Sequence, residues 1–144
     1  MKSLKISALL VLAASAAVAH DGVQNATVKA RMDAMSAIAT NMKTLGKMAK
    51  GVTEFDAAEA QNAVGAIAGH AANTPALFKH YETDPKSEAK ANIWDDYEGF
   101  TQKAVDLERV ALELRPSLQE ANDVGAALRL LGASCKSCHA VYRE

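Results

Sequence analysis

Residues 117–144, SLQEANDVGAALRLLGASCKSCHAVYRE, carry the reading that decides the fold. Ser117-Leu118-Gln119-Glu120 has the form of a capping box, a hydroxyl followed three residues later by a carboxylate, and predicts that a helix opens there. Val124, Ala127, Leu128, Leu131, Cys135, Cys138 and His139 then recur at helical spacing. The helix therefore runs into Cys135-Lys136-Ser137-Cys138-His139, a C-x-x-C-H sequence, which is the pattern of covalent c-type haem attachment. Two thiols at this spacing share one helix face, so each can add to one haem vinyl group. His139 then lies beneath the iron as its proximal axial ligand. The implied cofactor is one haem c per chain.

Two other chemistries use the same cysteine spacing. A thioredoxin-like dithiol stands between a strand and a helix, whereas a helical pattern precedes Cys135 here. A closed zinc site needs four Cys, His or carboxylate ligands, and the chain holds only 2 cysteines. A haem-free dithiol oxidoreductase using Cys135 and Cys138 stays as the third functional reading.

The other end of the chain bears on where this chemistry takes place. Lys2 and Lys5 form a basic start, Ile6 to Ala19 is an apolar run, and Ala17-Val18-Ala19 is a small-x-small cleavage site. The run falls short of the roughly 20 residues a membrane span requires. Residues 1–19 are therefore read as a signal peptide and residues 20–144 as one haem domain, exported to the periplasm without a stable membrane anchor. The exported part has a net charge of −3, with 14 basic and 17 acidic side chains. This argues against nucleic acid as a partner and suits docking onto a basic patch of a redox partner protein of unknown identity. Aromatic residues make up 5% of the chain, and alanine is abundant, which favours helix over sheet.

Four helical segments follow from periodicity, with no convincing strand between them. The first runs from about Asn25 to Ala49, with Val28, Met32, Met35, Ala39, Met42, Leu45 and Ala49 on one stripe and Gly51 as its stop. The second starts at Asp56 and buries Ala60, Val64, Ile67 and Ala71, with its end unplaced near Thr74-Pro75. A polar crossover, Tyr81 to Lys86, leads to a third helix capped at Ser87 and reaching about Leu114, where Arg115-Pro116 breaks it. The helix opened at Ser117 is the fourth. The expected fold is all-α, an antiparallel four-helix bundle with a C-terminal haem-attachment motif.

The segment Gly132 to Arg143 closely resembles the end of the cytochrome c′ family, in which C-x-x-C-H sits at the C-terminus. Ile93-Trp94-Asp95-Asp96-Tyr97-Glu98-Gly99-Phe100 is similar to that family's I-W…F segment, and Arg31 through Lys43 to its first helix. The resemblance implies a distal residue four positions after the first-helix arginine. That residue is apolar in gas-binding members and a ligating methionine in the low-spin cytochrome c-556 branch, which this chain most resembles.

Spacing alone leaves Met32, Met35, Met42 and Met48 open as inward methionines, and such residues are commonly core filler. Register with Arg31 selects Met35 as the distal ligand, with Met32 in reserve. The resemblance also implies a propionate contact for Arg31, a place near the proximal histidine for Arg143, and a possible homodimer. Phe100, Leu107, Ile38 and Ile67 are pocket-wall candidates, and Trp94 is read as core. His70 and His80, ten residues apart, need not share a face and are rejected as ligands.

No phosphate loop, nucleophile elbow or paired-carboxylate site is present, so no enzyme is expected. The first reading is a His139–Met35 electron carrier. The second is a five-coordinate protein that binds nitric oxide or carbon monoxide.

Overall fold

The computed structural model describes residues 22–144. The expected signal peptide and its cleavage site lie outside the described residues. Five α-helices follow in order: α1 (Ala26–Ala49), α2 (Ala57–Leu77), the short α3 (Asn92–Asp95), α4 (Tyr97–Leu114) and α5 (Ala121–Tyr142). The four long helices form an antiparallel bundle in which α2 packs on α1 and α4, and α5 packs on α4 and α1. No helix among the described residues is long and apolar enough to cross a membrane.

Local chemistry sets the helix limits. Asn25 caps α1 by accepting the Val28 N–H at 3.0 Å, and Asp56 caps α2 by accepting the Glu59 N–H at 2.8 Å. Helix α1 ends at Gly51, whose φ of +66° is available to glycine at little cost. There the Gly51 and Val52 N–H groups donate to the carbonyls of Met48 and Lys47 at 3.0 and 2.9 Å, the double closure of a Schellman motif.

The end of α2, unplaced from sequence, lies beyond Pro75. The helix continues to Leu77, and its last carbonyls are collected by side chains from other helices. Tyr97 donates its hydroxyl to Pro75 O at 2.6 Å, Arg31 donates Nε–H to Leu77 O at 2.9 Å, and Trp94 donates Nε1–H to Phe78 O at 2.8 Å. Groups otherwise orphaned at a helix end are satisfied in this way.

Two expected boundaries are corrected. The third helix does not run unbroken from Ser87 to Leu114. Residues 88–90 instead pair with the C-terminus through an Ala89–Arg143 antiparallel bridge, a Lys90 N–H to Tyr142 O bond at 3.0 Å and a Glu144 N–H to Glu88 O bond at 2.9 Å. Asp96, at φ −125° and ψ 54°, then interrupts the helix and caps α4. Ser117, for its part, does not cap the last helix. It lies in a 3-10 turn, Arg115–Ser117, and its hydroxyl donates to Leu114 O at 2.7 Å. The capping box forms three residues later, where Asp123 accepts the Glu120 N–H at 2.8 Å.

Candidate haem site

The apolar core is divided in two. The larger cluster includes Ile38 and Leu45 of α1, Val64 and Ile67 of α2, Ala111 of α4, and Val124 and Leu131 of α5. The smaller joins Phe78, Ile93, Phe100 and Tyr142. Between them, at one level of the bundle, the inward positions of three helices are small. Ala34 of α1, Ala71 of α2 and Ala104 of α4 are all buried and belong to neither cluster. On α5 the same interval, between Leu131 and Tyr142, is occupied by Cys135 and Cys138.

These features follow from helical register. Leu131, Cys135, Cys138 and Tyr142 are spaced by four, three and four residues, so they continue one inward stripe. Both thiols are free and half-buried. Burial pushes the Cys135 thiol above its ordinary range. Burial does the same to Cys138, opposed by the nearby cation of Lys103. A redox-active dithiol has the opposite character, with a thiolate favoured by its surroundings.

His139 is exposed and lies on the turn that also carries Cys138. Desolvation, and after it the positive charge of Arg143, lower its pKa against an opposing pull from Glu88. A neutral imidazole is the form that binds a metal. Arg143 is therefore close enough to His139 to act on it electrostatically. Its own guanidinium pairs with Glu88, with Nε to Oε2 at 2.7 Å.

The methionines separate by packing. Met35 and Met42 pack against the larger cluster, and Met48 is buried within it. Met32 is half-buried and has no place in either cluster. Of the methionines, Met35 is the one that follows Ala34 directly on α1, at the edge where the larger cluster begins. Phe100 is buried in the smaller cluster, with ring centroids 4.9 Å from Phe78 and 5.4 Å from Tyr142. Leu107 packs on the larger cluster, which also contains Ile38 and Ile67. The pocket-wall residues expected from sequence thus lie on the two opposite sides of the alanine-lined interval.

Arg31, expected from the resemblance to meet a haem propionate, has a structural role within the protein itself. Arg31 is 3% exposed and donates to three carbonyls: Leu77 at 2.9 Å, His80 at 2.8 Å and Glu82 at 2.8 Å. Its guanidinium also stacks 4.6 Å from the Phe78 ring and 5.2 Å from the Trp94 ring. Arg31 closes the C-terminal end of α2, where the helix dipole favours a cation, and fastens the crossover loop to α1. Trp94, expected in the core, is half-buried and packs against the smaller cluster. Neither His70 nor His80 joins the site; their carbonyls accept from Thr74 and Arg31 respectively.

The sequence reading missed Tyr142, Asp96 and Glu88, which fix the end of α5, and Ala34, and it counted Ala71 and Ala104 as inward residues without linking them to the level of the cysteines. Asp96-Tyr97-Glu98-Gly99 carried a usable signal, since an aspartate three residues before a helical glycine is an N-cap arrangement. The alanines carried no signal of that level, because alanine suits any helix.

The residues fit a tethered haem. Paired thiols and an adjoining imidazole form the donor set, and α1, α2 and α4 carry small buried side chains between the two clusters. Two shallow surface depressions, of about 340 and 400 Å³, lie away from the cysteines on the outer side of α4 and between α1 and the end of α2.

Comparison with known proteins agrees with this arrangement. Residues 26–143 match the family model described as Cytochrome C′. The cytochrome c′ of Rhodospirillum rubrum is 32% identical, and the alignment covers 99% of each chain. A cytochrome c-556 of Agrobacterium fabrum is 32% identical, covering 81% of this chain and 80% of that protein. In fold, the structure of oxidised R. palustris cytochrome c556 superposes with a TM-score of 0.76 at 24% identity, covering 84% of this chain and 98% of that one. The cofactor is accordingly a covalently bound haem c, and the chain belongs to the cytochrome c′ family.

Proposed function

We propose that this protein is an exported, periplasmic carrier of single electrons whose haem iron is held by His139 on one side and Met35 on the other. The observation that carries the reading is Met35 itself. It is a thioether borne by α1 beside Ala34, at the level where the core is interrupted and where α5 bears its two cysteines.

The bound haem supplies a one-electron couple, and its axial ligands tune the potential. The chain's own residues do the rest. Cys135 and Cys138 tether the ring, and His139 supplies a neutral imidazole. Met35 closes the opposite face with a soft ligand that suits both oxidation states. Ala34, Ala71 and Ala104 leave space, while Phe100 on one side and Leu107 on the other exclude water. No substrate pocket is required, so the protein is not a classical enzyme.

The second reading, a five-coordinate haem that takes nitric oxide or carbon monoxide, draws on the packing of Met35 against the larger cluster, which is also how a core-filling methionine behaves. Carbon monoxide separates the two. Added to the reduced wild-type protein, it should leave the visible spectrum unchanged. Ready formation of a carbon monoxide adduct would establish the gas-binding reading instead.

A further inference from the structure

The outward face of α5 carries charge of one sign. Between Val124 and Tyr142, the end of α5, there are two cations, Arg129 and Lys136, and no carboxylate, in a chain whose formal net charge is −1. They are seven residues apart on the helix, so they stand almost one above the other about 10 Å apart and form a ridge, with Arg143 following just past the helix in extended backbone. Ala133 and Ala140 are exposed on the same ridge, so no bulky side chain rises between the charges. Leu130, 53% exposed, and Val141, 43% exposed, line one flank. His139, also exposed, lies on the other.

Arg129 and Lys136 have no carboxylate within ion-pair distance among the described residues, and Arg143 shares its charge with Glu88. The inner side of the same helix bears the haem cysteines. A partner lying on this ridge would therefore meet the iron's proximal ligand directly.

We infer that the helical ridge Arg129–Ala133–Lys136–Ala140 is the docking surface for an acidic patch on a partner protein, seated against the exposed edge of His139. This rests on the electron-carrier reading, since a carrier needs a partner close to the iron. A few aligned charges with an apolar flank suit a small, transient protein interface, in which opposite charge sets orientation and encounter rate. The charge is too sparse for the phosphate neutralisation on which nucleic-acid binding depends. Lys43, Lys47 and Lys50 form the competing basic cluster near the end of α1, remote in sequence from His139.

The test uses the nitrogen-15-labelled, haem-loaded protein, with poly-L-glutamate as an acidic probe and amide chemical shifts as the readout. At low ionic strength the largest shifts should fall on Arg129, Ala133, Lys136 and Ala140 and should vanish at high salt. The double variant Arg129→Glu/Lys136→Glu, altered only at exposed positions, should bind the probe about tenfold or more weakly while keeping the wild-type visible spectrum. Largest shifts at Lys43, Lys47 and Lys50, or undiminished binding by the double variant, would overturn the inference. So would phosphatidylserine vesicles that shift the ridge residues at lower concentration than the polypeptide.

The visible spectrum of the same samples reports the spin state separately. A high-spin haem with the probe still on the ridge would remove the carrier reading and leave the docking surface standing.

Discussion

The hydroxyl of Tyr142 donates to Asp96 Oδ2 at 2.5 Å, joining the end of the haem-bearing helix, one turn past His139, to the start of α4. The other oxygen of Asp96 accepts the Gly99 N–H at 3.2 Å. A methyl group at Gly99 would collide with that carboxylate and push it aside, so the present cap depends on the glycine's close approach. The bond to Asp96, followed by burial and by the charge of Asp96, pushes the Tyr142 pKa up to about 12.

Replacing Tyr142 with Phe should destabilise the protein by about 2 kcal/mol, the value of a hydrogen bond to a charged group, while the ring contact with Phe100 is kept. The effect depends on pH. The folded pKa lies above the ordinary tyrosine value of 10.0, so the contribution is complete below that pH and is lost as pH rises through about 12. Denaturant unfolding at successive alkaline pH values should show wild-type and Tyr142→Phe converging across this window. Gly99→Ala should act in the same direction by displacing the Asp96 carboxylate.

Arg31 holds three carbonyls that have no other donor among the hydrogen bonds of the described residues. Arg31→Met should therefore cost about 3 kcal/mol, because the loss leaves three part-buried acceptors without their donor. Arg31→Lys should recover only part of this, since an ammonium cannot reproduce the planar fork or its stacking on Phe78 and Trp94. Chemical denaturation of the three proteins gives the ranking directly.

Ala104 tests whether the gap between the clusters belongs to the haem. In the haem-free chain, Ala104→Leu should raise the unfolding midpoint by adding apolar burial. In the loaded protein the same side chain should overpack the site, costing about 1 to 3 kcal/mol and lowering the yield of attached haem. Stabilisation of both forms would show that the space is ordinary core.

The bundle was open to reading because its signals are local. Asn25, Asp56 and Gly51 act within one turn of their own helices, and the apolar stripes ending at Leu131 and Cys138 need only helical periodicity. Asp96 left a local N-cap signal, but the departure of residues 88–90 from the helix expected to start at Ser87 was not open to reading, because those residues pair with residues 142–144, a contact between distant parts of the chain. Arg31 shows the same limit. Its position relative to Met35 was visible in the sequence, but its partners are carbonyls at the end of α2 and in the segment that follows, and backbone acceptors leave no mark in a sequence.

The central claim is that Met35 closes the sixth iron position. The most direct measurement is the visible and near-infrared spectrum of Met35→Ala beside wild-type and Met32→Ala. The account predicts low-spin haem in wild-type and Met32→Ala, and high-spin haem open to carbon monoxide in Met35→Ala alone. An unchanged spin state in Met35→Ala would contradict it.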